Sequence, residues 1–161
     1  MKVTLPLYIE KLKTDSGPQF YVRPLFATHP DATREELKKA TDSVTGALRK
    51  RIQQLAAEPR HEALAGLLFS PQVSEQHTKV EISLRRRTFK ASYLFAVYET
   101  LGRRIAFTPR LPELHFTLER GDDLAARAAE VIGAHYRRLE RNEVEFEPEW
   151  HAPCGEAWLG H

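Results

Sequence analysis

The sequence predicts an α+β fold: an antiparallel sheet of about five or six strands, with two main helices packed on one face. Two observations carry this prediction. Several short segments alternate apolar and polar residues, which is the two-residue period of a half-buried strand. Two longer segments repeat apolar residues every three or four positions, which is typical of amphipathic helices. The predicted order is two strands, a long helix, a short helix, a strand-rich region and a last helix.

The length and composition are those of one globular domain. The chain has 161 residues, of which 42% are hydrophobic and 29% are charged, and domains typically contain roughly 100–150 residues. Its single cysteine excludes an internal disulfide and favours a reducing compartment. No apolar run reaches the roughly 18 residues of a membrane helix, and residues 1–5 lack a signal-peptide layout. We therefore expect a cytoplasmic protein that does not engage a membrane.

The first half of the chain predicts a hairpin followed by helices. Alternation over 2–10 and again over 20–26 predicts two strands, and Asp15-Ser16-Gly17-Pro18 between them has the composition of a turn. Apolar residues from Leu37 to Leu55 then form one helical stripe. Thr33 and Glu36 have the spacing of a capping box ahead of it. A second short helix is predicted over 60–68.

The second half predicts more strands and a final helix. Alternation from Val80 to Leu84 and from Phe89 to Val97 changes parity, so a bulge or a longer bent hairpin is expected near residues 86–88. Two shorter strands follow, around 104–108 and 114–118. Asp122 and Asp123 suit the start of the last helix. We expect both long helices to cover the inward residues Val80, Ile82, Tyr93 and Phe95.

The sequence has a basic central region and an acidic C-terminal segment, and we place the boundary of the domain at residue 142. Residues 1–142 are predicted to form the single α+β domain, and residues 143–161 an acidic tail that serves as an edge strand or as a linker to a following domain. Between Lys79 and Arg110 there are eight Lys and Arg residues against two Glu, whereas from Glu140 onward there are six Glu against one Arg. This separation indicates an interaction surface, with an acidic segment of this chain or of another protein as the partner.

The basic central region supplies the candidate partner-binding residues. We expect Lys79, Arg85 and Lys90 on one outward sheet face. The full candidate set is Lys79, Arg85, Arg86, Arg87, Lys90, Arg103 and Arg104. A basic sheet can also bind the phosphates of a nucleic acid, but the aromatic residues of these strands fall on the inward parity, away from any base. An ordinary solvated strand face whose charges prevent edge aggregation is the third interpretation.

Catalytic and metal-binding patterns are missing from the sequence. One cysteine excludes a cysteine-rich zinc site, although His151 and Cys154 are close in sequence. There is no Gly-x-Ser-x-Gly, no His-Glu-x-x-His and no phosphate-binding glycine loop. We therefore expect no catalytic residue, no cofactor and no metal. A small enzyme, with a pocket assembled from residues distant in sequence, stays as a further alternative to the protein-binding and nucleic-acid-binding interpretations.

Two segments resemble a known family. The run Leu101-Gly102-Arg103-Arg104-Ile105-Ala106-Phe107-Thr108-Pro109, together with Glu119-Arg120-Gly121-Asp122-Asp123-Leu124-Ala125-Ala126-Arg127, is similar in style to N-terminal regions of bacterial Clp-type AAA+ proteins. The resemblance implies an accessory domain that recruits a protein substrate or adaptor, with ATPase activity outside this chain. It carries over no functional residue. The oligomeric state is not predicted by any feature of the sequence.

Overall fold

The computed structural model describes residues 4–146 and 156–160. Their fold is α+β, as predicted, but the strands form two four-stranded antiparallel sheets rather than one sheet of about five or six strands. The elements in chain order are β1 (Leu7–Thr14), β2 (Gly17–Pro24), β3 (Ala32–Arg34), α1 (Leu37–Ala56), α2 (Glu62–Leu67), β4 (Val73–Ser83), β5 (Thr88–Thr100), β6 (Arg103–Phe107), β7 (Phe116–Leu118), α3 (Leu124–Arg141) and β8 (Ala157–Gly160).

The chain forms two compact units. The first unit comprises Met1–Ser70 and Gly155–His161, and the second comprises Pro71–Cys154. The first sheet, with strand order β3-β2-β1-β8, belongs to the first unit, and the second sheet, with order β4-β5-β6-β7, belongs to the second. The domain boundary at residue 142 stays a prediction. None of the helices in the described ranges combines the length and the apolar character that crossing a membrane requires.

In the first unit, α1 covers one face of the first sheet. The predicted hairpin is present: β1 pairs with β2 so that Ile9 lies opposite Val22. Both side chains are buried in a cluster with three residues of the α1 stripe, Ala40, Val44 and Leu48. Because the helical stripe and the strand face remove each other's apolar side chains from water, this packing stabilises the unit.

The start of α1 differs from the prediction. Thr33 lies in β3 and Glu36 is the N-cap, with no side-chain hydrogen bond to the helix. The expected capping box between Thr33 and Glu36 is therefore wrong. Pairing of Thr33 with Tyr21 in the first sheet places the backbone of Thr33 in a strand conformation, away from the helix start. The short helix predicted over 60–68 is confirmed as α2.

In the second unit, α3 alone covers one face of the second sheet. The inward residues Val80, Ile82, Tyr93 and Phe95 are all buried, and they share a cluster with Ala128, Ile132 and Tyr136 of α3. The expectation that the Leu37–Leu55 stripe would cover these four residues is wrong. Only a two-residue connection separates β3 from α1, so α1 folds back on its own sequence neighbours in the first sheet.

Two tight turns close the hairpins of the second sheet. Residues 84–87 form the β4–β5 turn, in which the backbone N–H of Leu84 donates to the carbonyl oxygen of Arg87 at 2.8 Å. This is a hairpin rather than a bulged strand. The β5–β6 turn consists of Leu101 and Gly102, whose φ angles are 51° and 75°. Left-handed backbone costs a leucine about 1–2 kcal/mol relative to the right-handed region.

Helix α3 begins as predicted. The carboxylate of Asp123 accepts a hydrogen bond of 2.9 Å from the backbone N–H of Ala126, which satisfies one of the free donors of the first turn. The acidic tail begins directly after the helix, and its Phe146 stacks on Tyr136 with ring centroids 5.2 Å apart. Residues 147–155 and 161 of the predicted tail lie outside the described residues. Residues Ala157–Gly160 form β8, at the edge of the first sheet beside β1.

Candidate functional site

The seven basic candidate residues do not form a single surface. Lys79 lies in β4, Lys90 in β5, Arg103 and Arg104 at the start of β6, and residues 85–87 in the β4–β5 turn. The two ends of β5 are separated by 13 residues, which corresponds to about 40 Å in an extended strand. The arginines of the β4–β5 turn are therefore at the opposite end of the second sheet from Arg103 and Arg104.

The predicted basic sheet face is largely neutral. Lys79 and Lys90 do share the face opposite α3, because Lys90 is paired with Glu81, two residues from Lys79. However, the Nζ of Lys90 lies 3.5 Å from the Oε2 of Glu81, so a carboxylate accompanies it. Arg85 lies in the turn rather than on this face, which corrects that part of the prediction. An exposed pair of this kind contributes roughly 0–1 kcal/mol to stability.

Several arginines come together at the β4–β5 turn and the end of α3. We call this region the arginine corner, defined as Arg85, Arg86, Arg87, Arg137 and Arg141 with Glu140. A cavity of about 370 Å³ in this corner is lined by Arg85, Ala134, Arg137, Glu140 and Arg141. Within the part of the chain that the structure describes, Glu140 is the only carboxylate of that lining. The side chains of all five arginines are exposed.

Two hydrogen bonds hold the corner together across the sequence. The backbone N–H of Arg85 donates to the Oε1 of Glu140 at 3.3 Å. The Nη1 of Arg137 donates to the carbonyl oxygen of Ser83 at 3.0 Å. The last turns of α3 are thus joined to the β4 end of the β4–β5 connection, which brings the arginines of the turn beside those of the helix.

The Arg137 side chain lies against a buried glycine of its own helix. Gly133 lies one helical turn before Arg137, and a Cβ at position 133 would lie 2.8 Å from the Nη1 of Arg137. The guanidinium therefore occupies space that any other residue at 133 would fill. Glycine in a helix interior is less favourable than alanine by about 1 kcal/mol. Helix α3 therefore has a residue of low helix propensity at the position against which Arg137 lies.

Three aromatic rings pack in series beside the β4–β5 turn. The guanidinium of Arg87 lies 5.7 Å from the ring centroid of Phe89. Phe89 in turn contacts Tyr136 at 6.2 Å, and Tyr136 stacks on Phe146. Tyr136 is buried, and Phe89 and Phe146 are partly buried. The ring faces are therefore used within the second unit rather than presented to a ligand.

The first unit contains a cluster of buried polar side chains on the sheet face opposite α1. The hydroxyl of Tyr8 donates to the Oε2 of Glu10 at 2.8 Å, and the guanidinium of Arg23 lies 5.2 Å from the Tyr8 ring centroid. Arg23 also donates to the carbonyl oxygens of Pro24 and Ala27, both at 3.1 Å. Burial lowers the pKa of Arg23, while Tyr21, Tyr8 and Asp31 oppose this shift. These bonds fix the bend after β2.

Two histidines of the second unit have lowered pKa values. Burial is the main cause for both His115 and His135; a hydrogen bond at Pro112 opposes it for the former, and Glu113 opposes it for the latter. Arg138 lowers the pKa of His135 further. The ring of His115 stacks on Phe107 with centroids 4.2 Å apart. This contact packs one face of the His115 ring against an aromatic neighbour.

Among the described residues, no three His, Cys, Asp or Glu side chains are grouped as a metal site would require. His151 and Cys154, the pair considered from the sequence, lie outside those residues. Arg137 and Arg141 were missed by the sequence analysis. They are four positions apart in the last turns of a helix, where arginine is common because it interacts favourably with the helix dipole, so no local signal linked them to a turn more than fifty residues earlier.

The comparisons with known proteins give no relative. No protein-family model matches the chain, and no curated protein and no solved structure shows significant similarity to it.

Proposed function

We propose that this chain is a non-catalytic protein-interaction domain, which recruits a substrate or adaptor protein by binding an acidic segment at the arginine corner. One observation carries the proposal: Arg85, Arg137 and Arg141 line the same cavity, and among the described residues Glu140 is its only carboxylate. The carboxylate oxygens of a partner could accept hydrogen bonds from each of these guanidinium groups. Arginine suits this role because its planar fork matches a carboxylate with two parallel bonds.

The corner is built to bind a partner with moderate affinity and fast association. Its arginines are exposed, and each exposed ion pair contributes roughly 0.2–1 kcal/mol. Several such pairs acting together steer an acidic partner toward the surface and raise the association rate at low salt. We therefore expect binding that weakens steadily as the salt concentration rises, as is typical of a recruiting contact that must also release its cargo.

The ring stack favours an acidic protein over a nucleic acid. Proteins that bind single-stranded nucleic acids combine a basic groove with aromatic faces on which bases stack. In the arginine corner, the face of Phe89 is covered by Arg87, and Tyr136 is buried between Phe89 and Phe146. The arginines alone would give only salt-dependent contacts to phosphates, so nucleic-acid binding is the alternative that the test must separate.

The test is fluorescence anisotropy with a labelled glutamate-rich peptide. The variant R85E/R141E reverses two charges of the cavity and keeps the Arg137–Ser83 bond. The control R49E/R51E reverses two exposed charges of α1 in the first unit and so matches the change in net charge. We expect R85E/R141E to weaken peptide binding about tenfold or more, and R49E/R51E to change it less than about twofold, as for charges remote from the contact.

A labelled oligothymidylate and a DNA duplex are measured at the same salt concentrations. Nucleic-acid binding tighter than peptide binding, and lost in R85E/R141E, would replace the proposed function with the nucleic-acid alternative. Equal loss of peptide binding in both double variants would show a general charge effect and would overturn the assignment to the corner.

We also propose that this chain is one module of a larger protein. The resemblance of Leu101–Pro109 and Glu119–Arg127 to N-terminal regions of bacterial Clp-type AAA+ proteins supports an accessory module that acts beside an ATPase in the bacterial cytoplasm. The first of these segments spans the β5–β6 turn and β6, and the second connects β7 to α3. Sequencing the gene beyond the codon for His161 tests this: a Walker-type loop in the same reading frame supports it, and a stop codon contradicts it.

A further inference from the structure

The tip of the β5–β6 hairpin presents a leucine to solvent. Leu101 is 97% exposed, the highest value among the exposed large hydrophobic residues. Its φ angle of 51° and that of Gly102, 75°, are both positive. Two-residue turns with two positive φ angles strongly favour Asn-Gly or Gly-Gly, since asparagine tolerates this backbone and leucine does not. Leucine is thus unfavourable here both for the backbone and for its contact with water.

The β6 side of the turn carries two positive charges. Arg103 is paired with Thr100, and Arg104 with Glu99, so their side chains project from opposite faces of the hairpin. Both arginines are exposed. Arg103 therefore has no carboxylate directly across the strand. The turn that carries the leucine is thus followed by two arginines whose side chains lie on opposite faces of the hairpin.

The hairpin holds this arrangement rigidly. The strands continue in register from the turn to the pair Ala96 and Phe107, both of which are fully buried. A side chain at the end of a rigid, paired hairpin needs little ordering when it binds, so most of the contact free energy is retained. Strained residues that a structure maintains at an exposed position are characteristic of functional contacts.

We propose that Leu101 is an anchor residue that inserts into an apolar socket of a protein partner, with carboxylates at the rim of the socket contacting Arg103 and Arg104. This contact is separate from the arginine corner, which lies at the other end of β5, about 40 Å away for an extended strand of 13 residues. A negative result for the Leu101 contact would therefore leave the proposed function of the arginine corner unchanged.

Two other occupants fit the tip less well. A membrane is disfavoured because one leucine between two polar flanks lacks the second apolar or lipid signal that stable anchoring needs. A second copy of this chain would need a socket. The cavity of the arginine corner, about 370 Å³, is large enough for a leucine, but Arg85, Arg137 and Arg141 line it and would repel the cations that follow Leu101. The apolar cleft lined by Leu5, Pro6, Pro24, Phe26, Ala27, Gly66, Leu67 and Phe69 has a volume of only about 10 Å³. That space barely holds a water molecule and cannot accept a leucine side chain.

The probe is a yeast-displayed library of small helical-bundle proteins with a randomised surface groove, sorted against the full chain. Because a binder that covers Leu101 removes its apolar surface from water, we expect most recovered binders to have an apolar groove with Asp or Glu at its rim. Each is then measured against L101N and against T100S, a matched substitution in the same hairpin. We expect L101N to weaken binding about tenfold or more, and T100S to leave it within about twofold.

Stability is measured on the same variants by urea denaturation. Asparagine is better tolerated at positive φ, so L101N is expected to raise the urea midpoint while it lowers binding, and loss of folding cannot then explain the loss of binding. Recovered binders that bind L101N as tightly as the unchanged chain would overturn the proposal. So would binding to vesicles of phosphatidylserine and phosphatidylcholine that L101N abolishes, because the occupant would then be a membrane.

Discussion

The Nη1 of Arg137 donates a hydrogen bond of 3.0 Å to the carbonyl oxygen of Ser83, which precedes it by 54 residues. Ser83 is the last residue of β4, so the bond attaches the end of α3 to the point where the chain leaves the second sheet. The same contact brings the arginines of the β4–β5 turn beside those of the helix. The candidate site thus depends on a fold contact as well as on charge.

Replacing Arg137 by methionine should destabilise the second unit. The substitution keeps most of the side-chain length but removes the donor to Ser83, and a hydrogen bond of this kind contributes about 1 kcal/mol to the free energy of unfolding. Arg141→Met is the control, because Arg141 lines the cavity and, among the described residues, makes no hydrogen bond to β4. Urea denaturation should show a loss of about 1 kcal/mol for the first variant and less than half of that for the second. Equal losses would contradict a specific role for the Ser83 contact.

Two glycines should respond oppositely to substitution by alanine. Gly102 has a φ of 75°, and alanine in this left-handed region should lower stability by about 1 kcal/mol. Gly46 lies within α1 with open space around its Cβ position, so alanine there should raise stability by up to about 1 kcal/mol through helix propensity. Circular dichroism during urea titration measures both. A stabilising Gly102→Ala change would show that the β5–β6 turn differs from the one described.

Removing the hydrogen bond between Tyr8 and Glu10 should lower the free energy of unfolding far more than removing an exposed hydrogen bond of similar length. Tyr8→Phe removes a donor from a carboxylate that is only 1% exposed. A buried acceptor that loses a partner costs about 1–3 kcal/mol. Thr14→Val, which removes the exposed bond from Thr14 to the carbonyl oxygen of Gly17, should cost less than about 0.5 kcal/mol. Comparable costs for the two variants would contradict the burial of this polar group.

The lowered pKa values of His115 and His135 predict a loss of stability in mild acid. The unfolded chain takes up protons near pH 6.5, whereas burial keeps both rings neutral to lower pH in the folded state. The unfolded state therefore binds more protons, and the stability present above pH 6.5 falls as the pH falls. Replacing both histidines by glutamine should flatten this dependence. A pKa of either ring at or above 6.5 by NMR titration would contradict the prediction.

Individual strands and helices were predictable because the residue pattern that indicates each one lies within its own segment. The two-residue alternation that ends at Ile9 and the helical stripe from Leu37 to Leu55 each identify one element and its apolar face. Asp123 at the start of α3 is also a local signal, and its hydrogen bond to Ala126 is present. By contrast, the capping box at Thr33 failed because β3 pairs with β2, and no pattern within residues 33–36 reports this pairing.

The division into two sheets was not predictable from periodicity. A stripe of apolar residues shows that a helix packs on something, but it does not identify the sheet that the helix covers. Leu7, Ile9 and Val22 could have joined Val80 and Ile82 in one sheet as far as alternation shows. The packing of α1 on the first sheet and of α3 on the second settles the arrangement.

The basic residues illustrate the same limit for the candidate site. Closeness in sequence grouped Arg85, Arg103 and Arg104, although the length of β5 separates the first from the other two. Arg137 joined the site only through its bond to Ser83, which no sequence pattern encodes.

The central claim, that acidic protein segments bind at the arginine corner, is tested most directly by NMR. A glutamate-rich peptide is titrated into the isotopically labelled full chain, and backbone and arginine side-chain shifts are followed. The account predicts that the largest changes occur at Arg85, Arg86, Arg137 and Arg141 and weaken as salt is added. Changes centred instead on Lys79 and Lys90, or no localised change at low salt, would contradict it.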